Sequence, residues 1–190
     1  DPMSAVPPDA AFILSGKHAG RLFDQLFRNL AWKTLGHSAD GSTVEFLDSL
    51  LGNDAAAWTE QPLVLSVHVT KAGSFDCLFL LNTSASLTET AVARRLEEVS
   101  RQGLRNRRYE NVTIRETTLG NRNFACAVSE GVLICSFTSF LVEDAIRQLK
   151  TGHALTRNDA FKKANEPLTS GETVCYINYG GLSTLTANLG

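Results

Sequence analysis

Apolar residues recur at helical spacing near the start of the chain. Leu22, Phe23, Leu26, Phe27 and Leu30 fall on one stripe, which predicts a helix over residues 17–35 with that face in the core. The short apolar run "AAFILSG" precedes it as a strand, with Gly16 between the two and Gly36 as the stop. Val44, Leu47, Leu50 and Leu51 suggest a second helix, closed by Gly52 and Asn53. The period then changes to two. In "LVLSVHVT" Leu63, Leu65, Val67 and Val69 share one face and Val64, Ser66, His68 and Thr70 the other, so His68 reads as an exposed strand histidine. After "KAGS", Phe75, Cys77, Phe79 and Leu81 line one side of a partner strand, giving a hairpin with one strongly buried face.

Ser86 and Glu89 have capping-box spacing for a helix that buries Val92, Leu96 and Val99 and runs to Gly103. "YENVTIRETTL" and "FACAVSEGVLICSF" supply three more strands, with turns at 120–121 and 130–131. With a two-residue turn at Glu130 and Gly131, Val128 faces Leu133, Ala127 faces Ile134 and Cys126 faces Cys135. Ser139 reads as the N-cap of "FLVEDAIRQLKTG", Gly152 as its stop, "RNDAFKKANEP" as a short amphipathic helix and "TVCYINYGG" as a last strand. The expected order is β-α-α-β-β-α-β-β-β-α-α-β. Short turns between strands favour an α+β fold, mainly an antiparallel sheet with helices packed on one face.

Residues 1–9, with Pro2, Pro7 and Pro8, read as the end of an extended linker, and residues 10–171 as a single domain. "AFILSGKHAGRLFDQL" and "CYINYGGLSTLTANL" share a plan of strand, glycine and helix. Residues 172–190 therefore read either as a chance echo or as the last strand and the start of a second, related lobe.

Composition changes this picture little. At 190 residues, 43% apolar and 20% charged, the chain is long enough for a proper core. A net charge of −2 gives no reason to expect a nucleic-acid partner, and no apolar run approaches the length of a membrane helix. The opening residues have neither the basic nor the apolar region of a signal peptide.

Candidate chemistry is sparse. Cys77, Cys126, Cys135 and Cys175 offer no C-x-x-C, and His18, His37, His68 and His153 no H-x-x-x-H, so neither metal nor cofactor is expected. There is no G-x-S-x-G and no phosphate loop, and Glu97-Glu98 and Glu143-Asp144 read as solvated helix faces. "NTS" and "NVT" match the N-glycosylation pattern, which is short enough to recur by chance. Cys126 and Cys135 are either a hairpin disulfide, with Cα atoms about 4.5 Å apart as in a non-hydrogen-bonded pair, or two reduced core residues. The local charge signal is arginine. Between positions 94 and 122 eight arginines stand against four glutamates, and Arg101, Arg105, Arg107 and Arg108 crowd one segment. They read either as a solvated connection or as donors for carboxylate or phosphate.

From Val132 onward the pattern resembles the bacterial domain family of unknown function DUF3352. The resemblance is carried by the strand Gly131 to Ser136, Ser139 capping Val142 to Leu149, the segment Leu155 to Phe161, and Tyr176 to Asn178, with "VPPDAAFILSG" similar to the family's opening strand. Phe140 departs from it, since a proline or small residue is expected after the cap. The resemblance implies an exported or membrane-tethered bacterial domain, extracytoplasmic and anchored through a segment outside this chain. It implies no activity. The expectation is thus a non-catalytic scaffold or ligand-contacting domain of a larger protein. One alternative is an arginine-mediated module for an anionic surface such as lipid headgroups or acidic glycans. The other is a hydrolase-type enzyme with a dispersed site and His68 or His153 as base. Ligand and oligomeric state are left open.

Overall fold

The computed structural model describes residues 1–28, 58–71, 74–85, 88–100, 103–119, 122–152, 155–165 and 172–179. The predicted helix around Val44 to Leu51 and the predicted capping residue Ser86 lie outside them. The described strands are β1 (Phe12–Gly16), β2 (Leu63–Lys71), β3 (Ser74–Asn82), β4 (Arg105–Tyr109), β5 (Val112–Leu119), β6 (Arg122–Ser129), β7 (Val132–Ser136) and β8 (Thr173–Ile177). The helices are α1 (Ala19–Arg28), α2 (Glu89–Val99), α3 (Ser139–Thr151) and α4 (Asp159–Asn165). All eight strands join one sheet in the order β4-β5-β6-β7-β3-β2-β1-β8, and every neighbouring pair is antiparallel. The fold is α+β.

The β6–β7 hairpin has the register that alternation predicts, with Ser129 opposite Val132 and Cys126 opposite Cys135. Its turn residues Glu130 and Gly131 take φ of 51° and 75°, the left-handed pair that matches strand twist in a two-residue turn. One strand was not foreseen. β4 arises from "RNRRY", read above as a solvated connection, and pairs with β5 through a second such turn at Glu110 and Asn111, φ 50° and 63°.

The helices do not share one face of the sheet. Phe124, Cys126, Leu133 and Cys135 form a core with Leu22 of α1 and with Val92 and Leu96 of α2. On the opposite face Ala125, Ala127, Ile134, Leu78 and Leu80 pack against Leu141, Val142, Ala145 and Ile146 of α3. The physical reason lies in the central strands. All five residues of β7 are buried and β2 opens with four buried residues, so both faces need cover.

The first nine residues supply part of that cover instead of forming a linker. Pro2–Ala5 make a 3-10 turn, with Asp1 accepting a hydrogen bond from the Met3 amide, and Pro2, Ala5, Val6 and Pro7 are buried. Ala5 and Val6 join the core of the α3 face. At the other end β8 completes the same sheet by pairing with β1. The helix predicted after it falls outside the described residues.

Candidate functional site

α3 begins one residue earlier than expected, with Thr138 at the N-cap and Ser139 as its first helical residue. Neither hydroxyl caps the helix. Thr138 Oγ1 donates to Asp76 at 2.6 Å, and Ser139 Oγ donates to Glu116 Oε1 at 2.6 Å. The helix ends as predicted, at Gly152 with φ 64°. α2 is capped by Thr88, whose side chain accepts from the Ala91 amide, and ends at Val99 rather than Gly103. Ser100 Oγ donates to the Gly103 carbonyl and lies 2.6 Å from Thr117 Oγ1, which fixes the approach to β4.

The four candidate arginines are divided by the pleat of β4. Arg105 and Arg107 share the face turned toward α3, while Arg108 lies on the other face and is exposed. Arg101 lies outside the described residues. Arg107 is the hub of a network. Its Nε contacts Glu116 Oε1 at 2.7 Å, and its Nη2 contacts Ser139 Oγ at 2.7 Å and Glu143 of α3. Burial alone would push the Glu116 carboxyl up; hydrogen bonds from Ser139 and Arg107 and the charges of Arg107 and Arg105 bring it below its ordinary value. The same carboxylates raise Arg107 against the opposing effect of burial.

Beside this network opens a cleft of about 390 Å³. Arg105, Glu116, Thr117, Thr118, Asn123 and Ser139 contribute polar groups to its wall, and Leu104, Phe124 and Ala125 apolar ones. Arg105 is exposed and, among the described residues, forms no ion pair. The cleft thus combines the Arg105 guanidinium, whose charge acts on Glu116 without a direct ion pair among the described residues, with an amide, two threonines and Ser139 of α3.

His68 is wholly buried, which overturns the exposed-strand reading. Its Nε2 lies 2.9 Å from Ser66 Oγ and its Nδ1 3.2 Å from Asp9 Oδ1. The face that alternation marks as polar is roofed by the N-terminal segment, and Asp9 comes from that roof. The hydrogen bond with His68 holds the Asp9 carboxyl below its usual value, burial opposing. Serine, histidine and carboxylate are therefore joined in series, with Ser66 as inaccessible as His68. His153 lies outside the described residues.

Cys126 and Cys135 are buried, unbonded thiols, as are Cys77 and Cys175 unbonded. Burial, then the hydrogen bond with Cys126, drives the Cys135 pKa up, and burial followed by the Asp76 charge pushes Cys77 to about 12. Asp76 also binds Arg122, whose guanidinium lies 4.3 Å from the Phe137 ring centroid. Among the described residues no group of three or more His, Cys, Asp or Glu side chains is placed to hold a metal ion. No helix among them is long and apolar enough to cross a membrane. Comparison with protein-family models, with curated proteins and with solved structures gives no match for this chain.

Proposed function

We propose that the chain is a non-catalytic, ligand-contacting domain whose cleft at the head of α3 takes a small ligand bearing a carboxylate or phosphate group. The observation that carries this reading is the pairing pattern around the cleft. Glu116 is already bound by Arg107 and Ser139, whereas Arg105 beside it has no ion-pair partner among the described residues. A guanidinium so placed offers two parallel donors to a planar anionic group. Asn123, Thr118 and Ser139 stand around the same space. This narrows the arginine-rich segment to one residue for the cleft, since Arg107 is committed and Arg108 points away.

The extracytoplasmic, tethered placement rests on the DUF3352 resemblance. Isothermal titration with inorganic phosphate and with succinate at low salt tests the cleft. Binding is expected to weaken with added salt and to fall about tenfold or more in Arg105→Ala, the loss of a charge-assisted hydrogen bond. Arg108→Ala is expected to leave it unchanged. Equal affinity in the wild type and Arg105→Ala rejects the reading.

A hydrolase-type reading has one observation in its favour, the serial contact of Ser66, His68 and Asp9. Against it, a nucleophilic hydroxyl must be reached by substrate, and Ser66 is fully buried. Covalent labelling of Ser66 by a fluorophosphonate probe on the folded chain would turn the choice in its favour.

A further inference from the structure

Two charges of opposite sign stand side by side in the cleft without pairing. Arg105 lies directly opposite Glu116 across the β4–β5 ladder. Counted back from the two-residue turn at Glu110 and Asn111, this is a hydrogen-bonded position, with Cα atoms about 5.5 Å apart and both side chains on one face. An arginine and a glutamate so placed ordinarily attract each other into contact. Here Arg107, the diagonal neighbour, takes Glu116 instead, and both donors that reach the carboxylate, Arg107 Nε and Ser139 Oγ, go to Oε1. Oε2 accepts no hydrogen bond among the described residues, and 21% of the Glu116 side chain stays accessible. The charge balance adds to this. Arg107 is one cation held between two carboxylates, Glu116 and Glu143, which leaves that group with an excess negative charge. Arg105 brings the whole to neutrality, and its field reaches Glu116 without a direct ion pair.

We infer that the ligand of this cleft is an α-amino acid, with its carboxylate on Arg105 and its ammonium on Glu116 Oε2. The inference rests on the anion-binding reading above and narrows it to a zwitterion. A plain anion satisfies Arg105 but leaves the cleft with an unbalanced negative charge, whereas a zwitterion leaves it neutral. The two charged groups of an amino acid hang from a single carbon, so they suit two side chains that are nearest neighbours across a ladder. The guanidinium takes the carboxylate through parallel donors. The ammonium has three donors, and beyond Glu116 it finds Thr118 and Asn123, which pair across β5 and β6 on the same face, line the same space and carry oxygen acceptors. A cleft of about 390 Å³ is on the scale of a small molecule.

Isothermal titration with each neutral L-amino acid tests it. The tightest is then compared with its desamino acid, which lacks the ammonium, and with its carboxamide, which lacks the carboxylate. Each loss is expected to weaken binding about tenfold or more, as for a hydrogen bond between charged groups. Arg105→Ala is expected to weaken the amino acid and succinate alike. Glu116→Gln, with folding checked by circular dichroism, is expected to bring the amino acid down to the level of its desamino acid, while succinate binds as well as before or better. If that variant folds poorly, the analogue series on the wild type decides alone. An amino acid that binds no better than its desamino acid overturns the inference, as does an affinity that a folded Glu116→Gln leaves intact. Binding of succinate that depends on Arg105 would, in either case, leave the broader anion reading standing. Loss of binding for every probe rejects both.

Discussion

His68 Nδ1 lies 3.2 Å from Asp9 Oδ1, so a wholly buried side chain of β2 holds a residue of the N-terminal segment. His68→Ala removes that tie and leaves the buried Ser66 hydroxyl without its partner, at an expected cost of about 2–3 kcal/mol. Hydrogen exchange is the sharper readout: amides of residues 2–10 should lose protection before those of β6 and β7. Unchanged exchange there would show that apolar packing of Ala5 and Val6 holds the segment unaided. Asp9→Asn should cost less, because the Asp9 side chain is largely exposed.

The network on Arg107 makes stability depend on acid pH. Glu116 has a lowered pKa in the folded chain, so its contribution is complete above the ordinary carboxylate value of 4.5 and is lost as pH falls through the lowered one. Chemical denaturation from pH 7 to pH 3 should show this loss in the wild type and a shallower acid limb in Glu116→Gln. Arg107→Ala should lower stability at pH 7 by about 1–3 kcal/mol, since it strands two half-buried carboxylates. An identical acid limb in Glu116→Gln would remove Glu116 from the account.

Thiol reactivity should rank the cysteines by access. Cys175 is exposed and should react first with a disulfide reagent, whereas Cys126 and Cys135 should react only on unfolding. Denatured chain purified without reductant should give four thiols. Two missing thiols, mapped to a peptide joining 126 to 135, would instead establish the hairpin disulfide that their opposition permits.

Gly131→Ala isolates a backbone effect. Gly131 has φ 75°, and an added Cβ would meet only Thr83 Oγ1, at an ordinary 3.7 Å. The loss should therefore be conformational alone, about 1 kcal/mol, read as a shift in the thermal midpoint. No shift would mean that the turn relaxes freely.

These residues also show what was legible in sequence. Alternation plus an obvious turn placed Cys126 opposite Cys135, and a glycine stop placed the end of α3, because both signals are local. β4 was invisible for the opposite reason. "RNRRY" has no apolar alternation, and it is held to α3 by Arg107 with Glu143 and by Arg147 with Tyr109, contacts between distant segments. His68 was misread because nothing in "LVLSVHVT" reveals that residues 1–10 will roof its polar face. The same long-range cover explains the helices on both faces, which a hairpin read alone cannot show. Of the arginine cluster, spacing showed the charge, and only the pleat of β4 showed which guanidinium lines the cleft without a direct ion pair among the described residues.

The pairing of β1 with β8 has a consequence for how the chain comes into being. β1 leaves the ribosome before every other described strand and β8 after all of them, so β1 waits for its outer neighbour while the rest of the described sheet is synthesised. Meanwhile Phe12, Leu14 and the main chain of β1 stand open on that side, on a nascent protein whose other strands are already able to pair. Closing the sheet is thus the late, slow step, governed by a contact of very long sequence separation, and a stalled chain ending before Thr173 would expose a sticky margin to chaperones and proteases.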